Sequence, residues 1–366
     1  MKISAAVVRE AGAPFAIETL SLEEPRADEV RVRIVATGLC HTDLVVRDQV
    51  LPTPLPAVLG HEGAGIVEAV GADVTDLKVG DPVVLGFAAC RECTPCRAGE
   101  PSYCAHFAAL NFGGCRDDGS VALADAAAPV SSHFFGQSSF ATHALVAAKN
   151  VVKVPADAPL DILGPLGCGL MTGAGAILNT LAVQAGQSVL VSGGGPVGLA
   201  GVMAAASAAA GTIILVDPLE SRRTLALELG ATHAIDPMAG PLGDQVRAIL
   251  PEGVARILET SGNTGAIEQS VGVLGARGRL AMVGVPKTLD ATITIAALPL
   301  VSLGASICGV TEGDADPRSF IPHLIALHRE GRFPFDRLIT RYPLAEINSA
   351  IADQYAGVCV KAVLTM

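Results

Sequence analysis

The chain of 366 residues contains no tryptophan and only three tyrosines, and its 25 lysines and arginines are outnumbered by 36 aspartates and glutamates. The cationic deficit gives a formal net charge of −11 and argues against a nucleic-acid or anionic-membrane partner, since both select basic patches. A secretory leader is not expected, because the apolar run after Lys2 extends only from Ala5 to Val8 and closes on Arg9. The stretch from Val197 to Val216 has twenty uncharged residues and the length of a membrane span, yet Gly211 divides it into an alanine-rich helix and a β-branched strand. These absences predict a cytoplasmic enzyme with no membrane anchor.

Half of the residues are hydrophobic, so sizeable cores are expected, and a chain of this length most often holds two domains. Nine cysteines are an odd number, and their clustering favours metal ligation in a reducing compartment over a secreted disulfide framework. With tryptophan absent, aromatic packing falls to ten phenylalanines. Phe107, Phe112, Phe134, Phe135 and Phe140 lie in one loop-rich segment, where they fill a core or wall an apolar pocket.

Gly60-His61-Glu62-Gly63-Ala64-Gly65 sets a histidine beside a carboxylate, among glycines that let the backbone pass close. Such a pair alone is more often an ordinary surface pair. Cys40 and Cys168 would complete a two-cysteine, one-histidine site with a fourth position open, the pattern of a catalytic zinc. Cys90, Cys93 and Cys96, followed eight positions later by Cys104, can close a tetrahedral shell with no open position, which makes a structural zinc. Cys115, Cys308 and Cys359 read as small buried hydrophobes.

Up to about residue 157 the pattern is one of short alternating strands and dense glycine and proline punctuation, as in an irregular antiparallel β domain. From Val30 to Val35, for instance, apolar and charged residues alternate. At Ser188 the period changes. Ser188 to Ser192 reads as a buried strand, and Gly193-Gly194-Gly195-Pro196-Val197-Gly198 turns into a helix beginning near Leu199. This is G-x-G-x-x-G between a strand and a helix, where Gly193, Gly195 and Gly198 allow a tight turn and a close approach of pyrophosphate to the helix N-terminus. The next strand, Thr212 to Val216, ends in Asp217, which would hold the ribose hydroxyls and repel a ribose phosphate, favouring NAD over NADP. Further β and α segments to Val283 predict a doubly wound sheet.

Gly60-His61-Glu62 with Gly65, Gly71 and Val74 resembles the signature of the zinc-containing alcohol dehydrogenases of the medium-chain dehydrogenase/reductase family. The likeness runs from Val7 to Leu364. It is most similar to the bacterial aryl-alcohol (benzyl alcohol) and geraniol dehydrogenases in Cys40 to Val45, Phe134 to Phe140, Gly164 to Gly169 and Thr311 to Pro317. The resemblance implies a GroES-like catalytic domain, residues 1–157 completed by 304–366, and a Rossmann domain, residues 158–303. It implies a catalytic zinc on Cys40, His61 and Cys168 with Glu62 as a conditional ligand, Asp43 orienting His61, and Thr42 accepting the alcohol proton. His41, Thr172, Pro196, Val197, Arg222, Val283 and Lys361 fall at cofactor positions, His41 alternatively ending the proton relay and Lys361 alternatively being solvated. Where many family members end that relay with a histidine, this chain has Val45.

The expected reaction interconverts primary aromatic or allylic alcohols and aldehydes with NAD, using one catalytic and one structural zinc, in a homodimer or homotetramer. Two other readings keep the fold: a polyol or glutathione-adduct dehydrogenase, or a nucleotide-binding relative that has lost catalysis.

Overall fold

A computed structural model describes residues 1–126, 128–286 and 288–366, which gather into two units. The first comprises Met1–Cys168, Asp316–His323 and Asp336–Met366, and the second Gly169–Ala315 and Leu324–Phe335.

In the first unit, the alternation around Val30 belongs to a longer strand, Glu29–Gly38. Val30, Val32 and Ile34 are at most 1% exposed and enter a core with Val67, Val83, Leu85 and Val146, while Arg33 faces solvent. Gly63–Val70 pairs antiparallel with this strand, Thr37 opposite Gly63, and Lys361–Thr365 pairs antiparallel on another side, Val363 opposite Gly38. Cys40, His61 and Lys361 therefore emerge at one end of three neighbouring strands. Among the described residues this sheet has seven strands, and a second sheet has five, ordered Ala57–Val58, Lys2–Val8, Ala16–Leu22, Leu123–Ala124 and Pro129–Val130.

The second unit carries a sheet of six parallel strands among the described residues. Their order is His233–Ile235, Thr212–Val216, Ser188–Ser192, Val254–Glu259, Leu274–Met282 and Ser306–Gly309. This is the dinucleotide-binding order, in which the first strand neighbours both the second and the fourth. Leu190, Ile214, Ile257 and Leu280 are completely buried, as a sheet covered on both faces requires.

Several local expectations change. The helix after the glycine turn is Pro196–Ser207 and starts three residues before Leu199, because proline suits a first helical position where its missing N–H has no partner to lose. The helix Thr264–Val271 closes with Gly272 at its C-cap, and the strand Leu274–Met282 follows almost at once. The apolar run from Val197 resolves into Pro196–Ser207 and the strand Thr212–Val216, and no single helix among the described residues is long and apolar enough to cross a membrane. Cys359 is 3% exposed, whereas Cys115 and Cys308 are only half-buried. Cys308 lies on Ser306–Gly309, an edge strand of its sheet, which leaves it less covered than an inner position would.

Glu29, 4% exposed at the start of its strand, ties the sheet to a distant loop by accepting from Arg116 Nε at 2.6 Å and from the Arg26 N–H at 3.0 Å. Burial pushes its carboxyl up, but the donors of His133 and Arg116 outweigh burial and bring it from the ordinary 4.5 to about 2. A carboxyl depressed in the fold stabilises it above the unfolded pKa, and this contribution is lost as pH falls through the folded value. Glu29→Gln should therefore be less stable than the native chain at pH 6, with the gap narrowing as pH falls from 4.5 towards 2. Urea unfolding at a series of pH values measures this, and a pH-independent gap would remove the ion pair as its cause.

Candidate metal centres and nucleotide turn

Asp43 organises the corner. It is completely buried in the first turn of the helix His41–Arg47. One carboxylate oxygen accepts from the Cys40 N–H at 2.9 Å, and the other meets the Gly60 N–H at 3.1 Å and His61 Nδ1 at 2.8 Å. With Nδ1 so engaged, the other imidazole nitrogen faces inward. His61 Nε2 is buried with no hydrogen-bond partner, and it gathers with the ligand atoms of Cys40, Glu62 and Cys168 within 4.8 Å of one another. Two thiols, an imidazole nitrogen and a carboxylate at that separation fit one zinc ion.

The electrostatics favour positive charge at this corner. The hydrogen bond with Cys168 holds the Cys40 thiol well below its usual range, helped by the charges of His61 and Lys361 against burial. Burial pushes the His61 imidazole down, but the negative charges of Asp43 and Cys40 prevail and keep it well above its usual value. Thr42 Oγ1 lies 3.7 Å from Cys40 Sγ, Val45 is half-buried, and His41 is exposed at the start of the helix.

Lys361 is not solvated, the alternative expected for it. It is 1% exposed, and its ammonium donates to the Leu39 carbonyl at 2.9 Å and lies 2.6 Å from a Glu62 oxygen. Burial opposes its charge, and Glu62 more than restores it, holding Lys361 above the usual lysine range. Turned inward, the ammonium offsets the buried carboxylate. The space around Glu62 is bounded by glycines: a Cβ on Gly38 would stand 1.8 Å from Glu62 Oε2, and one on Gly164 would stand 2.1 Å from the Glu62 carbonyl oxygen.

The phenylalanines form a wall on His61. Phe135 stacks on its ring at 4.5 Å and Phe134 meets it edge-on at 5.4 Å. Phe112 and Phe107 abut Phe135 at 5.3 and 6.3 Å, and Phe87 joins through Phe107 at 5.7 Å. Phe140 instead packs on Phe15.

Cys90, Cys93, Cys96 and Cys104 form the other cluster, with sulfur separations of 3.9 Å for Cys90 to Cys96 and for Cys93 to Cys104. Four sulfurs bound tetrahedrally at about 2.3 Å from one zinc stand about 3.8 Å apart, so the loop already has the required dimensions. Backbone N–H groups of Glu92 and Cys93 point at Cys90 Sγ, that of Ala105 at Cys93 Sγ, and that of His106 at Cys104 Sγ. The donors of Ala105 and Cys96 bring Cys93 down to about 6.

In the second unit, Gly193 has φ +99°, a left-handed conformation suited to glycine. A Cβ on Gly198 would stand 1.8 Å from the Gly193 carbonyl oxygen, whereas one on Gly195 would meet nothing within 4 Å. The outer glycines thus serve the turn, and the middle one leaves open space at the helix N-terminus where a phosphate can approach. Asp217 accepts from the Gly194 N–H at 2.6 Å and from the Leu219 N–H at 2.8 Å, which fixes its carboxylate beside the turn. Arg222 is 8% exposed and its Cβ neighbours Gly194. Val197 is half-buried, Thr172 donates to Glu312 at 3.5 Å, and the Val283 N–H donates to the Glu259 carbonyl at 2.9 Å.

Two family models match the chain. The alcohol dehydrogenase GroES-like domain matches residues 26–156, and the zinc-binding dehydrogenase family matches residues 196–328. Geraniol dehydrogenase of Castellaniella defragrans is 48% identical over 362 residues, covering 98% of this chain and 96% of that protein. The crystal structure of benzyl alcohol dehydrogenase from Acinetobacter calcoaceticus is similar with a TM-score of 0.97 and 46% identity, covering 100% and 99% of the two chains. An alcohol dehydrogenase zinc-binding domain protein from Burkholderia ambifaria is similar with a TM-score of 0.98 and 52% identity, again covering 100% and 99%.

Replacing Cys96 by serine should remove the zinc of the four-cysteine loop and lower thermal stability before it alters turnover chemistry. Zinc content by atomic absorption and the melting temperature test this together, and native values of both would contradict a structural metal there.

Proposed function

Since the chain belongs to the zinc-containing alcohol dehydrogenases of the medium-chain dehydrogenase/reductase family, we propose that it interconverts primary aromatic or allylic alcohols and their aldehydes, with NAD as hydride acceptor. The observation that carries this reading is the junction of the three ligands Cys40, His61 and Cys168 with a phenylalanine wall stacked on one of them. An apolar, delocalised group beside an alcohol carbon fits such a wall. The geraniol and benzyl alcohol dehydrogenases among its relatives support the same class.

Zinc bound at this corner supplies Lewis-acid polarisation that eases loss of an alcohol proton near neutral pH. NAD supplies the acceptor for the hydride leaving the alcohol carbon. Cys40, His61 and Cys168 hold the metal, and Asp43 keeps the His61 tautomer in which Nε2 faces it. Thr42 takes the alcohol proton through its hydroxyl while passing its own hydroxyl proton on, so it ends unchanged, and the aldehyde remains once proton and hydride have left. Phe134 and Phe135 keep water from the imidazole face. In the second unit the open space at Gly195 receives the pyrophosphate, and Asp217 accepts from the ribose hydroxyls.

The same reading includes a cytoplasmic homodimer or homotetramer associated through the second unit. Ser306–Gly309 is an edge strand there, and the nearby helix Ala297–Leu303 exposes Leu298 and Val301 at 77% and 76%.

Initial rates of NADH formation with benzyl alcohol, geraniol and ethanol test the substrate class. Fast turnover of one of the first two, poor use of ethanol and loss of activity after zinc removal by a chelator are expected; inactivity of fully zinc-loaded protein on both would overturn the substrate reading. Asp217→Gly should raise the ratio of kcat/KM for NADP over NAD, and an unmoved ratio would count against this residue as the selector.

A further inference from the structure

Gln137 is completely buried, and its amide lies against the backbone on both sides of Glu62. Its Oε1 accepts from the Gly63 N–H at 3.0 Å, and its Nε2 donates to the carbonyls of His61 at 3.0 Å and Gly86 at 3.4 Å. A residue on a parallel neighbouring strand bonds in this way, to the residues before and after the one it faces. The glutamine side chain thus supplies the peptide group that a further strand would have brought to the His61-Glu62-Gly63 segment. Gly63 leaves the room for it, since a Cβ there would stand 2.8 Å from Ser139 Cβ and 3.1 Å from Gln137 Oε1.

The residues after Gln137 continue the same clasp. Ser138 Oγ donates to the Val58 carbonyl at 2.6 Å, the Phe140 N–H to Leu59 at 3.0 Å and the Ser139 N–H to Gly60 at 2.8 Å. Residues 137–140 therefore engage the four successive carbonyls that lead to and include the ligand histidine. Asp43 fixes the imidazole ring, but the ring swings with its backbone, and Gln137 is the contact on the His61 carbonyl itself.

We propose that Gln137 is a positioning residue for the catalytic metal: its amide holds the backbone of His61 so that Nε2 stays directed at the ion, and this governs how long the ion is retained. The inference rests on the zinc reading above. Partners that orient a ligand in this way typically change metal affinity by about 10- to 100-fold when removed. Gln137→Met keeps the volume and abolishes all three hydrogen bonds. Gln137→Asn keeps an amide but falls one methylene short.

Zinc release from the intact protein into 4-(2-pyridylazo)resorcinol, followed by absorbance, separates the two sites, and the Cys96→Ser chain identifies the phase belonging to the corner. Gln137→Met should accelerate the corner phase about 10- to 100-fold while leaving the four-cysteine phase unchanged, and Gln137→Asn should fall between. The visible spectrum of the cobalt-substituted corner should shift in step, a change that loss of global stability would not produce. Native release rates in both variants, or equal acceleration of both phases, would overturn the proposal, and if Gln137→Met does not fold, native release from Gln137→Asn overturns it alone. A native chain that holds zinc only in the four-cysteine loop would instead defeat the parent reading.

Discussion

A single buried carboxylate decides the geometry of the catalytic corner. Asp43 has no contact with water and satisfies its charge with two backbone N–H groups and one imidazole N–H, all within 3.1 Å. A buried carboxylate deprived of such partners would be strongly destabilising, so the donors are held where the carboxylate needs them. Those donors belong to Cys40 and His61, two of the ligand residues, and to Gly60, the residue before His61. By binding both segments to itself, Asp43 converts two separate chain turns into one corner.

The charge of this corner explains why Lys361 lies inside. The Cys40 thiol, held well below its usual range, lies beside the completely buried carboxyl groups of Asp43 and Glu62, so negative charge gathers at the corner. The Lys361 ammonium, 2.6 Å from a Glu62 oxygen, answers it, and a zinc ion held there would add further positive charge. The lysine reaches Glu62 from a strand 299 residues further along the chain, so closing the sheet also places the counter-charge. Gly38 and Gly164 leave the space that the Glu62 side chain and carbonyl occupy, which makes these glycines part of the same electrostatic arrangement.

What could be read in the sequence and what could not divide along the same line. Cys90 to Cys104 and the glycine turn from Gly193 were legible because their chemistry depends on residue type at short, fixed spacing, whereas Cys40, His61 and Cys168 lie far apart in the chain and were joined through the resemblance to a known family. The strand at Val30 was legible through its alternation, although its ends were not, since pairing with Gly63–Val70 and Lys361–Thr365 extends it to Gly38. The contact of Lys361 with Glu62 was not legible, because it is created by sheet closure rather than by local sequence. Gln137 gave no signal: a glutamine in a loop is ordinarily solvated, and its burial depends on the gap left by Gly63.

The segment that follows His133 shows how a strained backbone can serve a rigid wall. Phe135 has φ +51° and ψ +32°, a left-handed conformation that costs a side-chain-bearing residue about 1–2 kcal/mol. Ser138 is also left-handed, with φ +50°. Such residues persist only where the surroundings over-determine them. Here the constraint is the run of hydrogen bonds from residues 137–140 to the carbonyls of Val58 to His61, together with the hydroxyl pair Ser139 and Thr37 at 2.8 Å. The strain directs the Phe135 ring flat against His61, where an extended backbone would have turned it elsewhere. The hydrogen bonds that steady the ligand histidine are thus the ones that hold the aromatic wall, so metal geometry and the shape offered to an apolar alcohol are set by one piece of backbone.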